Sequence, residues 1–115
     1  MSDISDDYMR ANLSKTKPYT VMILRATEKR RQPEAEAIIW EHGRRNFKLR
    51  SEGIMNIICP VTDKSGIAGF GIFNADPEQV KKIYDDDPAV KAGVLTYELH
   101  PVISFPGDSL GNDLF

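Results

Sequence analysis

Apolar residues return every three or four positions between Pro33 and Ser51, and that spacing predicts a helix. At roughly 100° per residue, Ala35, Ile38, Ile39, Asn46 and Leu49 share one face, with His42 near its middle. Pro33 suits a first helical position, and Glu34 and Glu36 suit the positive end of the helix dipole. Gly53 suits the left-handed cap beyond the last turn. Trp40, Gly43 and Phe47 form a second apolar face, which suggests contact with a partner subunit or with the C-terminal tail.

Around this helix the pattern shortens to strands. Tyr19 to Leu24 is a β-branched and apolar run, Ile54 to Cys59 a second one closed by Pro60, and Ile67 to Phe73 a third. The turn chemistry of Asp63-Lys64-Ser65-Gly66 predicts that the second and third pair as an antiparallel hairpin. Gly69 and Gly71 alternate with Phe70 and Ile72, leaving one face of the third strand bare, so a ligand or another backbone can approach closely. Asp76 and Pro77 cap and open a second helix with Val80, Ile83 and Tyr84 on its apolar stripe. Asp87-Pro88 ends it, one further turn runs to Gly93, and Val94 to His100 is the fourth strand.

The order is β-α-β-β-α-β, an α+β ferredoxin-like arrangement: a four-stranded antiparallel sheet with two helices on one face. The domain is expected over residues 18–103, after a polar, aperiodic and flexible lead-in at 1–17 and before an irregular tail at 104–115. The other sheet face carries Tyr19, Val21 and Ile23, or their neighbours, and an apolar face of that size calls for a homodimer packed sheet against sheet.

Composition narrows the function. A chain of 115 residues with 41% hydrophobic and 28% charged residues is one ordinary globular domain. Its net charge of −2, with Glu28, Glu34, Glu36, Glu41 and Glu52 among the basic residues, argues against nucleic-acid binding. No apolar run approaches the roughly 20 residues that span a bilayer, and the acidic N-terminus lacks the apolar core of a secretion signal, so a cytoplasmic protein is expected. The single cysteine, Cys59, forms no internal disulfide, and no ligand spacing suggests a metal or other cofactor.

His42, the eleven-residue step from it to Gly53, and the strand ending at Pro60 resemble the YCII-like family. So do Asp87-Pro88-Ala89-Val90-Lys91-Ala92-Gly93 and the closing Tyr97-Glu98-Leu99-His100-Pro101, and the resemblance runs from about Tyr19 to Val102. It implies a dimeric α+β barrel of ferredoxin-like protomers and a His–Asp dyad on His42. It also implies chemistry like that of a relative that eliminates chloride from a chlorinated hydroxyquinone, or of related barrels that act on lactones and aromatic intermediates. One departure stands out: Cys59 precedes Pro60 where the family has glycine, so its side chain narrows the pocket or adds a thiol to it.

The resemblance favours Asp63 as the dyad carboxylate, with Asp87 the competitor. Taken alone, Asp63 suits a local turn bond and Asp87 suits a helix cap. Tyr84 and Tyr97 could offer phenols to a ligand but suit the core or a dimer surface, Cys59 suits a buried thiol, and His100 suits a structural or exposed place. The expectation is a lyase or isomerase in which His42 moves a proton on a small cyclic or aromatic substrate. The alternative is a non-catalytic module that binds a small ligand or a protein. Geometry separates them: an enzyme needs His42 beside a carboxylate and open to a cavity, whereas a core histidine would donate to a backbone carbonyl.

Overall fold

The computed structural model describes residues 3–112. Helix α1 (Asp6–Leu13) precedes strand β1 (Lys17–Ala26), and a 3-10 turn (Glu28–Arg31) leads to helix α2 (Ala35–Ser51). Strands β2 (Met55–Pro60) and β3 (Ile67–Phe73), helices α3 (Pro77–Asp85) and α4 (Pro88–Lys91), and strand β4 (Leu95–Ser104) follow. The sheet runs β2-β3-β1-β4 with antiparallel neighbours throughout, which is the ferredoxin-like order.

Register decides what each face carries. Thr20, Met22 and Leu24 of β1 lie opposite Phe73, Gly71 and Gly69 of β3, and all six are buried on the helix side. Met22, Phe73, Met55, Val80, Tyr84 and Leu95 form the centre of the core. Val21 and Ile23 pair with Ile72 and Phe70 on the opposite face, where they are half-buried or exposed. Ser104 to Leu110 joins Tyr19, Ile57, Phe70 and Ile72 of that face in lining a second cavity of about 500 Å³.

The stripe predicted for α2 is the one it buries: Ala35, His42, Asn46 and Leu49 face inward, while Trp40 and Phe47 are exposed. The helix begins at Ala35, after Pro33 and Glu34, because the first bonds are short i→i+3 ones, from Ala35 N to Gln32 O and from Glu36 N to Pro33 O. Gly53 takes φ +77°, the left-handed cap. In α3 the Asp76 side chain accepts from Gln79 N at 2.9 Å while Asp76 N donates to Gln79 Oε1 at 3.1 Å, a complete capping box.

Beyond shifts of one or two residues at other ends, two boundaries differ from expectation. The lead-in contains α1, whose N-cap Ser5 accepts from Tyr8 N at 3.0 Å and whose Asp6 and Asp7 face Arg10; it buries no residue, so no apolar period announced it. At the other end β4 continues through Pro101 to Ser104, because β4 is an edge strand and an edge proline need not donate to a neighbour.

Candidate active site

The turn between α3 and α4 carries three consecutive aspartates, and each finds a different partner. Asp85 accepts from Lys81 Nζ at 2.6 Å and from the Tyr97 hydroxyl at 2.5 Å, bonds that lower its pKa, Lys81 first. Burial, then the bond to Asp85, pushes the Tyr97 phenol up to about 12. Asp86 pairs with Lys91 at 2.6 Å, which lowers its pKa as well. Asp87 turns inward and has no exposed surface.

That inward turn follows from Pro88. The residue before proline is pushed to extended geometry, and Asp87 takes φ −71°, ψ 135° as the N-cap of α4. Its Oδ2 accepts from Ala89 N at 3.0 Å and Val90 N at 3.3 Å. Its two oxygens each lie 3.0 Å from Nδ1 of His42, across 45 positions of sequence. Arg45 steadies the same turn by donating to Ile83 O at 2.5 Å, with its guanidinium 3.8 Å from Asp87.

Asp87, and not Asp63, is therefore the carboxylate beside His42. Asp63 sits exposed in the β2–β3 turn, where it accepts from Ser65 N at 3.0 Å, and the bonds to Ser65 lower its pKa. Local turn chemistry holds it there, on the far side of β2 in sequence from the helix that carries the histidine. For Asp87 the cap and the pairing coexist, since one carboxylate accepts from both.

Two residues extend the pair. Asn46, one turn after His42 on the same stripe, lies with Nδ2 3.3 Å from His42 Nε2, and its Oδ1 accepts from the Tyr84 hydroxyl. Burial first, and the Asp87 charge second, raise the pKa of the Tyr84 phenol and keep it a donor. The directions then propagate. Tyr84 O–H donates to Asn46 Oδ1, the Asn46 amide donates to Nε2, and Nδ1–H donates to Asp87. The Asp87 carboxylate, which only accepts, fixes the histidine tautomer, and Tyr84, 38 residues beyond Asn46, supports it by donating to the Asn46 oxygen. Its ring stands edge-on to Phe73 at 5.6 Å, which locks the phenol in the core. Among the described residues no buried side-chain polar atom lacks a partner.

His42 and Asn46 also line a cavity of about 450 Å³ between α2 and the sheet. Leu24, Met55, Ile58, Gly69 and Leu95 form its floor, and Gly43 and Phe47 its helical side. Cys59 and Pro60 are in its wall, so the cysteine borders the cavity and is half-buried. Tyr84 and Tyr97 stand behind the histidine, outside that wall. His100 is exposed at the sheet edge with Nε2 2.8 Å from Glu98. Among the described residues no three His, Cys, Asp or Glu side chains gather as a metal site requires, and no helix is long and apolar enough to cross a membrane.

No curated protein matches the chain. The sequence pattern of the YCII-related domain matches residues 19–106, which takes in every strand but the first two residues of β1 and the whole of the His42–Asp87 site. With that match over about three quarters of its length, and with the ferredoxin-like sheet to go with it, the chain belongs to the YCII-related family.

Proposed function

We propose that the protein is an enzyme of lyase or isomerase type, in which His42 moves a proton on a small cyclic or aromatic substrate held in the 450 Å³ cavity. The observation that supports this reading is the pairing of a buried imidazole with a buried carboxylate at 3.0 Å, on the wall of a cavity. A packing histidine would instead satisfy its N–H on a backbone carbonyl.

The roles follow from the hydrogen bonds. Nδ1–H is committed to Asp87, so Nε2 carries the lone pair and takes the proton from a carbon acid. The imidazolium then faces the Asp87 carboxylate, which stabilises the new charge. Asn46 donates to the same Nε2, so a substrate shares or displaces that bond on arrival. From the protonated imidazole the proton returns at another carbon for isomerisation. For elimination, the electron pair left on carbon expels a leaving group as its anion, and the imidazolium gives its proton to that group or to water.

The test is deuterium incorporation in D2O, followed by NMR, over a panel of cyclic ketones, lactones and hydroxyquinones. Exchange above the solution rate with the wild-type protein, lost in His42→Gln, is the expected result. A panel in which the two proteins give the same rate overturns the enzyme reading in favour of a binding module.

We further propose a homodimer built on the open sheet face, where Val21, Ile23, Ile57 and Ile72 lie without a covering helix. Sedimentation equilibrium is expected to give twice the chain mass for the wild type and a single chain mass for Ile23→Glu. A wild-type monomer overturns it.

A further inference from the structure

The cavity beside His42 has a charge pattern that the dyad does not explain. Its wall is apolar apart from His42, Asn46 and one side chain of full charge, Arg30. Asp87, the carboxylate of the site, lies behind the imidazole with no exposed surface. Arg30 is therefore the charged side chain that a ligand in the cavity can touch directly, since the Asp87 carboxylate is reached only through the imidazole.

Arg30 is placed by backbone bonds. Thr27 N donates to Val94 O at 3.0 Å and its hydroxyl donates to Gly93 O at 2.5 Å, tying the start of the 3-10 turn to the start of β4. Arg30 N then donates to Thr27 O at 3.1 Å, and Ala35 N to Gln32 O at 3.0 Å joins the turn to α2. The guanidinium keeps 37% of its side-chain surface exposed and touches Glu36 through one nitrogen at 3.4 Å, a carboxylate that is itself 82% exposed. Such a pair is weak and leaves most of the guanidinium donors for a ligand. A planar guanidinium at an apolar wall matches a carboxylate, which it can grip with two parallel bonds.

We infer that the cavity binds a small aromatic or alicyclic carboxylate, its anion paired with Arg30 and its ring on the apolar wall beside His42. The inference rests on the reading of this cavity as the substrate site and names the class of substrate. A volume of about 450 Å³ holds one ring with its substituents. Leu24, Ile39 and Ile58 supply the apolar contact, and Arg30 supplies the selection for charge.

Benzoate and benzamide share a shape and differ in charge, so they make the probe pair. Titrated into the 15N-labelled protein, benzoate is expected to shift the amides of Gly43, Ala68 and Gly69 and to bind at least tenfold more tightly than benzamide. In Arg30→Gln, whose dispersed spectrum verifies the fold, benzoate is expected to fall to the benzamide level. Equal affinities in the wild type, or undiminished benzoate binding in Arg30→Gln, overturn the charge selection while leaving the cavity a binding site. Absence of shifts at those amides with either probe removes the cavity reading itself, and this proposal with it. Benzoate has no acidic carbon, so none of these outcomes depends on whether His42 transfers protons.

Discussion

Asp87→Ala is expected to lower the unfolding free energy by about 2–4 kcal/mol, measured as an earlier midpoint in urea, and to abolish deuterium exchange on any substrate the protein accepts. Two losses combine in the stability figure. The amides of Ala89 and Val90 lose their cap, and Nδ1–H of His42 is left buried without an acceptor. The subtler change, Asp87→Asn, keeps the shape and separates the two roles. Its oxygen can still cap α4, but its amide then meets Nδ1 as a donor. The retained oxygen can still accept from Nδ1–H at 3.0 Å, but the carboxylate charge that stabilises the imidazolium is gone, and moving the proton to Nε2 would oppose the Asn46 amide that already donates there. Asn46 would then have to turn over, and the Tyr84 hydroxyl would accept from its amide in place of donating, leaving only the weak acceptor Met55 Sδ at 3.8 Å for the phenol proton. Asp87→Asn is therefore expected to fold with a smaller loss of stability yet to slow exchange by about a hundredfold to ten-thousandfold, the usual weight of a positioned acid–base group. An unchanged urea midpoint in Asp87→Ala would show that the carboxylate does not hold the site together.

The same chain of bonds shows what the sequence could and could not convey. His42 was legible because helical period alone puts it on the stripe with Ala35, Asn46 and Leu49, and all four are buried together. The strand hairpin, the Asp76 cap and the Gly53 stop were legible too, being local. The carboxylate partner was not. Asp63 and Asp87 look alike in composition, and the choice depends on how α3 and α4 lie against α2, which no spacing within one element reports. For Asp87 a helix cap and a pairing with His42 are not alternatives, because the extended geometry before Pro88 lets one carboxylate make both sets of bonds. Asn46 carried a usable signal, a polar residue one turn beyond His42 on a core stripe. Tyr84 showed as an apolar-stripe residue with a phenol to offer a ligand, and its bond to Asn46 was not legible, since the direction of its hydroxyl is settled by packing against Phe73. Helix α1 announced itself only through Ser5, Asp6, Asp7 and Arg10, end signals without a buried face.

Gly69→Ala is expected to destabilise the protein by about 1–3 kcal/mol, the range for a group forced into a packed site, and to weaken benzoate binding. The bare face that Gly69 and Gly71 leave on β3 is used in two different ways. A Cβ at Gly71 would meet first the end of the Met55 side chain, a flexible group, with Ile57 O at 3.2 Å and Phe73 Cε1 at 3.3 Å as looser neighbours. A Cβ at Gly69 would lie 2.8 Å from the Cys59 carbonyl oxygen and 3.5 Å from Pro60 Cα, both backbone atoms of β2. Backbone cannot rotate away, so the edge strand itself must move. Cys59, Pro60 and Gly69 all belong to the cavity wall, and the displacement therefore reaches the ligand. Gly43 serves as the comparison, since it lines the same cavity from α2 and a Cβ there meets nothing within 4 Å. Gly43→Ala should gain up to ~1 kcal/mol, because glycine is a poor residue for a helix interior. Opposite signs for the two substitutions in thermal unfolding would locate the close approach between β2 and β3. A Gly69→Ala protein as stable as the wild type would mean that β2 yields freely, and that the cavity is not shaped by a fixed edge strand.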